Sequence, residues 1–167
     1  MRVTFKANVT PVGKQRARLT KRGKFFRAYT PEKTKQYERV IREAFLISCA
    51  HTDIPLLGPL ILDIIAVFPR TKALLWQYKN GQYKHPEGRI LHAVKPDEDN
   101  IRKAVADAIG EYIEGGDSRI VGGSTLKVYA AINENPSTIV RIYKADDYQT
   151  TFKTLYGSSD EYFDTLG

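Results

Sequence analysis

A chain of 167 residues, 42% hydrophobic and 27% charged, has room for one real core and is too apolar for wholesale disorder. No apolar run approaches the roughly 18 residues of a membrane span, and the N-terminus lacks the apolar stretch of a secretory signal. One cysteine, Cys49, excludes an internal disulfide framework and a thiolate zinc site, so the reading is a cytoplasmic protein of formal net charge +7.

Val3, Phe5, Ala7 and Val9 alternate with polar residues, the pattern of a half-buried first strand. Pro11 and Gly13 end it and open a basic loop. Between Lys14 and Arg27 stand seven basic residues, Lys14, Arg16, Arg18, Lys21, Arg22, Lys24 and Arg27, and no acidic one. Thr30-Pro31-Glu32 reads as a helix start, with Thr30 as N-cap and Pro31 in the first turn. Tyr37, Val40, Ile41, Ala44 and Phe45 follow at helical spacing. Leu60 to Phe68 is a strand for the centre of a sheet, although Asp63 interrupts it.

Residues 69–88 form a polar, irregular excursion in which Asn80-Gly81 marks a tight turn, compatible with a small hairpin between Leu75 and Tyr83. A short strand is expected over Arg89–Val94, a helix over Asp97–Ile113, then two strands over Ser124–Ile132 and Thr138–Tyr143. This order predicts an α+β (α/β-like) domain: a mixed sheet of about four to five strands with two main helices over residues 1–144. From Ala145 to Gly167 five acidic residues face one lysine, a net −4 that leaves the rest of the chain at +11. A field of that size attracts polyanions, of which nucleic acid is the commonest in a cytoplasm. A solvated basic loop that only aids solubility is the alternative.

The chemistry concentrates in Lys95-Pro96-Asp97-Glu98-Asp99-Asn100-Ile101-Arg102-Lys103. Residues i and i+2 of an extended segment project to one side, so Asp97 and Asp99 can converge where a divalent cation would relieve their repulsion. The same pair can equally be caps at a helix start. Lys103 lies one helical turn beyond Asp99, placed to hold a phosphate or to pair with Asp107. Asp117 could rejoin the pair if the chain turns back after Gly115-Gly116. His92 stands near the motif, where a lone histidine is more often structural. The aromatic residues between Trp76 and Tyr83 could stack on bases, but packing on the sheet is the more ordinary use.

These residues resemble the RusA family of Holliday-junction resolvases. Lys95 to Ile109 is similar to the family's KPDxDNLxKaxxDAL motif, and Gly116-Asp117-Ser118-Arg119-Ile120 to the element that follows it. Pro11-x-x-Lys14-x-Arg16-x-Arg18 and Tyr29-Thr30-Pro31-x-x-Thr34-x-x-Tyr37 resemble its basic loop and first helix. The likeness runs with gaps from about residue 3 to 144. Gly116 replaces the first aspartate of the family's D-D pair, Arg119 replaces a common glutamine, the Trp76–Arg89 segment is longer, and the acidic tail has no counterpart.

The resemblance implies a homodimeric endonuclease that nicks two strands of a four-way DNA junction symmetrically. Mg²⁺ would be its cofactor, with Mn²⁺ as a substitute. It implies Asp97, Asp99 and Asp117 as metal-binding and catalytic residues and Lys103 as the catalytic lysine. Lys14, Arg16, Arg18, Lys21, Arg22, Lys24, Arg27 and Lys95 would grip DNA, and a phage or prophage origin is in keeping. The rivals are a non-catalytic, structure-selective DNA-binding protein and a transferase that holds a nucleotide-sugar through Asp-x-Asp and a metal.

Overall fold

The computed structural model describes residues 2–16, 18–22 and 25–145, with the strands at 18–22 and 25–29 described by backbone alone. The acidic tail from residue 146 onward lies outside the described residues. So do Lys24 and the side chains of Arg18, Lys21, Arg22 and Arg27.

In chain order the strands are β1 (Arg2–Ala7), β2 (Arg18–Arg22), β3 (Phe25–Tyr29), β4 (Leu60–Phe68), β5 (Ile90–Leu91), β6 (Ile120–Gly122), β7 (Thr125–Tyr129) and β8 (Ser137–Lys144). The helices are α1 (Glu32–Ser48), after β3, and α2 (Glu98–Ile109), after β5. Six strands form one mixed sheet in the order β1-β8-β4-β7-β5, with β6 beside the start of β4. Strand β8 runs antiparallel to both β1 and β4, while β6 and β7 run parallel to β4. The fold is α+β as expected, with one more strand in the sheet than its sequence pattern shows. Three-residue β6 is too short to carry an alternation.

Helices α1 and α2 cover one face of the sheet. Val3 and Phe5 of β1, Leu62, Ile64 and Ala66 of β4, and Val140 and Ile142 of β8 point into that layer. They meet Tyr37, Ile41 and Phe45 of α1 and Ile101, Ala104, Val105 and Ala108 of α2, so the periodicities of two and 3.6 converge on one core. The opposite face carries a small cluster, Val67, Val128 and Ala130, with Ile65 and Ile139 half-buried against it.

Four local expectations need correction. The basic loop is instead a hairpin: β2 pairs antiparallel with β3, with Arg22 opposite Phe25, because Leu19-Thr20 and Phe25-Phe26 are good strand formers. Pro31, with ψ at 144°, is the cap residue of α1 in place of Thr30, and no side-chain capping bond forms. Helix α2 stops at Ile109, where Gly110 opens a tighter 3₁₀ turn through Tyr112. Ile113 is then extended and bridges to Leu56. The possible hairpin at 75–83 reduces to a single bridge, Gln77 to Tyr83, around the turn at Asn80-Gly81.

Asp63 can stand in an apolar strand because its carboxylate is fully engaged. It accepts from Arg141 at 2.7 Å, from the backbone and hydroxyl of Ser124 at 2.9 and 3.0 Å, and from the Tyr143 hydroxyl at 3.2 Å. Burial pulls the Asp63 carboxyl upward, but the bonds from Arg141 and Ser124 outweigh it and hold the group below its ordinary value.

The neighbouring turn is built around Gly123, where the chain passes from the β6 pairing to the β7 pairing along the same strand. Its φ is +122°, and a Cβ there would lie 2.0 Å from the Leu62 carbonyl oxygen. Gly123→Ala therefore combines a forbidden conformation with a backbone clash. We expect it to lower stability by about 2–4 kcal/mol, read from urea denaturation midpoints.

Candidate active site

The segment entering α2 is held from below. Lys127 of β7 donates its ammonium to the carbonyls of Val94 and Pro96, both at 2.8 Å, which fixes the corner just ahead of Asp97. Arg102, on the core side of α2, donates to the carbonyls of Leu62 and Gly122 and ties the helix to the sheet. Asp97 occupies the N-cap position with extended φ −68° and ψ 151°, yet its side chain makes no capping hydrogen bond. Glu98 and Asp99 form the first turn of the helix. Asp97 and Asp99 are exposed, and Lys103, one turn further along, is exposed too.

The root of the basic arm is stitched to the same corner. The backbone N–H of Lys14 donates to the Asn100 carbonyl at 2.8 Å. Gly13 packs so closely that a Cβ would lie 2.8 Å from Pro96 Cβ and 3.2 Å from Asn100 Cβ. Between arm and helix runs an open groove of about 400 Å³, lined by Lys14, Gln15, Lys95, Pro96, Asp97 and Asn100 among others. The Asp97 carboxylate and the segment leading into the basic hairpin thus share one groove, although they stand more than 80 positions apart.

Lys14 serves this architecture directly. Its ammonium lies 2.6 Å from Glu38 of α1 and 2.6 Å from Asp107 of α2, clamping the two helices. Burial would lower its pKa, but the bonds to Asp107 and Glu38 prevail and raise it. The Lys103–Asp107 pair considered from spacing does not form, because Asp107 is taken by Lys14.

Asp117 stands elsewhere. It opens a 3₁₀ turn, Asp117–Arg119, and packs on Gly110: a Cβ on that glycine would lie 3.5 Å from Asp117 Cβ. Gly110 ends the helix that Asp97 begins, so Asp117 lies about 18 Å from the Asp97–Asp99 end at 1.5 Å per residue. The chain does turn after Gly115-Gly116, but it does not bring Asp117 back to the pair. Among the described residues, no group of three His, Cys, Asp or Glu side chains could hold a metal ion. A two-carboxylate site remains chemically apt for Mg²⁺, which takes one or two carboxylates and completes its shell with waters and phosphate oxygens. The uncapped Asp97 carboxylate is available for that role.

The family model described as Endodeoxyribonuclease RusA matches residues 8–143, most of the chain. The chain belongs to the RusA endodeoxyribonuclease family. It is also similar to the uncharacterized protein YqaN of Bacillus subtilis (strain 168), 28% identical over 140 residues that cover 84% of this chain and 94% of that protein. For a RusA nuclease the reacting group is a DNA phosphate, which gives the joint presence of carboxylates and cations in one groove its meaning.

Within the RusA corner, Lys127 escapes sequence reading as a lone cation in an otherwise unremarkable strand, and Arg102 because its partners, the carbonyls of Leu62 and Gly122, stand 40 and 20 positions away. Lys127 is a positioning residue: it touches the backbone that carries Asp97. Lys127→Met should slow DNA cleavage by about 10- to 100-fold through displacement of that corner, while junction affinity measured by anisotropy stays near that of the parent.

His92 packs among aromatic rings. It is buried, stacks on Phe68 at 4.0 Å between ring centroids and contacts Tyr129 at 4.6 Å. Burial pushes its imidazole below its ordinary pKa. The aromatic residues of the excursion reverse expectation: Trp76 and Tyr78 do not pack on the sheet but are 51% and 49% exposed. No helix among the described residues is long and apolar enough to cross a membrane.

Proposed function

We propose that the protein is a Mg²⁺-dependent endonuclease that resolves four-way DNA junctions by paired, symmetric nicks, acting as a homodimer. The observation that carries this reading is the uncapped Asp97 carboxylate in a groove shared with the root of the basic arm. Family membership supplies the substrate class. Asp97 and Asp99 would hold the ion, and Mn²⁺ would substitute for Mg²⁺, since both accept carboxylate, water and phosphate oxygens. When bound, the ion supplies charge neutralisation at the phosphate and a more acidic water.

The chain's own residues do the rest. Lys103 offsets charge that builds on the phosphoryl oxygens, and the positive end of the α2 dipole acts in the same sense. Lys95 lines the groove, exposed Arg16 follows the lining residue Gln15 in the chain, and Arg18, Lys21, Arg22, Lys24 and Arg27 continue the cationic run in the sequence. They grip phosphates and so read the shape of the DNA more than its sequence. Lys14 is assigned to holding the arm's root in place of direct DNA contact, because two carboxylates already occupy it.

The dimer draws support from the sheet face opposite the helices, where the rim of the small buried cluster is exposed among the described residues. There Leu126, opposite Ile65, and Leu91, opposite Val128, are 46% and 71% exposed and extend the apolar patch of Ile65 and Ile139. A two-fold pair of sites suits a junction of approximate two-fold symmetry. It would also bring a second Asp117 into play, since within one chain Asp117 is too distant to share an ion with Asp97.

The test is a synthetic four-way junction, end-labelled on each strand in turn, incubated with Mg²⁺, Mn²⁺ or EDTA. Nicks at related positions on two opposed strands are expected with either metal, and binding alone in EDTA. Retarded complexes without cleavage in any divalent metal would instead mark a non-catalytic, structure-selective DNA-binding protein.

A further inference from the structure

The excursion between β4 and β5 is built to a degree that its irregular sequence does not announce. Arg70 lies at its centre. The guanidinium donates to Ala130 on the sheet at 2.7 Å, to Leu74 at 3.4 Å, to Pro86 at 2.7 Å, to Glu87 at 3.1 Å, and to Gly88. One side chain therefore fastens both limbs of the excursion to the sheet. Beyond it the limbs bond to each other: Lys84 N–H donates to the Trp76 carbonyl at 3.0 Å, and Tyr78 N–H to that of Gln82 at 2.8 Å.

On this frame the largest apolar side chains point outward. Trp76 and Tyr78 meet edge to face, with centroids 4.9 Å apart and planes at 77°, and the Lys84 ammonium lies 5.8 Å from the Trp76 ring centroid. Between Pro69 and Pro86 the sequence holds Arg70, Lys72, Lys79 and Lys84 and no carboxylate. A fold with an apolar layer at hand would gain by burying these rings. Here a dedicated frame holds them in solvent among cations.

The excursion also leaves the sheet at the active-site end. Phe68, the last residue of β4, lies two residues beyond Ala66, whose register partner Lys127 reaches the Pro96 carbonyl. The two levels are about 7 Å apart along the strand.

We propose that this excursion is a base-stacking element: Trp76, supported by Tyr78, receives an unpaired DNA base beside the branch point, and Lys72, Lys79 and Lys84 hold the adjoining phosphates. The proposal rests on the junction-cleaving reading above. Stacking is indifferent to base identity but needs a base free of its own stack, so the element selects open branch points over continuous duplex. It adds stacking on a base to the phosphate contacts proposed for the basic residues of the arm.

Trp76 is the only tryptophan of the chain, so its emission reports on the element directly. The parent protein is titrated in EDTA with labelled 20-mer oligothymidylate, a four-way junction and a blunt duplex, with anisotropy and tryptophan emission read together. We expect strong quenching with the oligothymidylate and the junction and little with the duplex. Trp76→Ala should weaken binding to those two DNAs by about 10- to 100-fold and duplex binding by less than about twofold. Trp76→Phe, which keeps a ring, should recover much of the loss, and matching melting temperatures would show all three proteins folded.

Junction binding by anisotropy with unchanged emission overturns the stacking proposal and leaves the nuclease reading intact. Emission that shifts with protein concentration before DNA is added assigns the patch to contact between copies of the chain, and also overturns it. Failure of every DNA to bind overturns both readings.

Discussion

Asp97→Asn is expected to slow junction cleavage in Mg²⁺ by about a thousandfold or more, the scale on which loss of one preorganised electrostatic group is felt. Binding in the same experiment should hold or tighten. The substitution removes one negative charge from a groove that must admit phosphate, and at about 4 Å in water-like surroundings that repulsion amounts to roughly 1 kcal/mol. A gain of about two- to fivefold in affinity at low salt follows, fading as ionic strength rises. The fold gives no reason for collateral damage. Asp97 is exposed, makes no capping bond, and asparagine is an equally good residue at an N-cap. The melting temperature should therefore move by no more than a degree or two. This separation of cleavage from binding and stability gives the variant its value. Normal cutting by Asp97→Asn would remove the assignment of the reacting centre to the start of α2.

Much of this was legible in the chain because two independent periodicities agreed. Val3, Phe5 and Ala7 at period two, and Ile101, Ala104, Val105 and Ala108 at helical spacing, name the buried faces of β1 and α2 residue by residue. The limits of β4 are legible because six of the nine residues from Leu60 to Phe68 are Leu, Ile or Val, and its Asp63 finds ordered partners instead of breaking the strand. What was not legible depends on contacts between distant segments. No spacing rule tells that Lys127 will reach under Pro96, that Gly13 must be bare because Pro96 and Asn100 pack on it, or that Lys14 will be taken by Glu38 and Asp107. The same limit explains Asp117. Seven residues after Gly110, the chain has only enough length to turn and pack on the end of α2, and the sequence alone does not say which way it then faces. The exposure of Trp76 and Tyr78 has a related cause: the Arg70 frame that turns them outward is tied to carbonyls distant in the chain.

The position of Asp117 leads to the sharpest test of the dimer. An ion takes its oxygen ligands at about 2.1 Å, so a carboxylate about 18 Å away, by the rise of α2, is out of reach within a chain. If Asp117 serves the same ion as Asp97, it does so in a second copy. Mixed dimers resolve the matter because the two variants complement each other only across an interface. Each homodimer, Asp97→Asn or Asp117→Asn, should be nearly inert. Co-refolded with two different affinity tags and purified over both, the mixed dimer has one composite centre with both substitutions and one with neither. It should nick one strand of the junction at about half the total rate of the parent and leave the opposed strand whole. The converse pairing sharpens the result. A parent chain joined to a chain carrying both substitutions has one defect in each composite centre and should be inert, whereas centres built within single chains would leave it one working site. The two pairings therefore exchange outcomes between the models. Activity in the second with silence in the first would place Asp97 and Asp117 in one centre of the same chain and overturn the shared centre. An Asp117→Asn homodimer that cuts at the parent rate would instead limit Asp117 to the turn that it shares with Gly110.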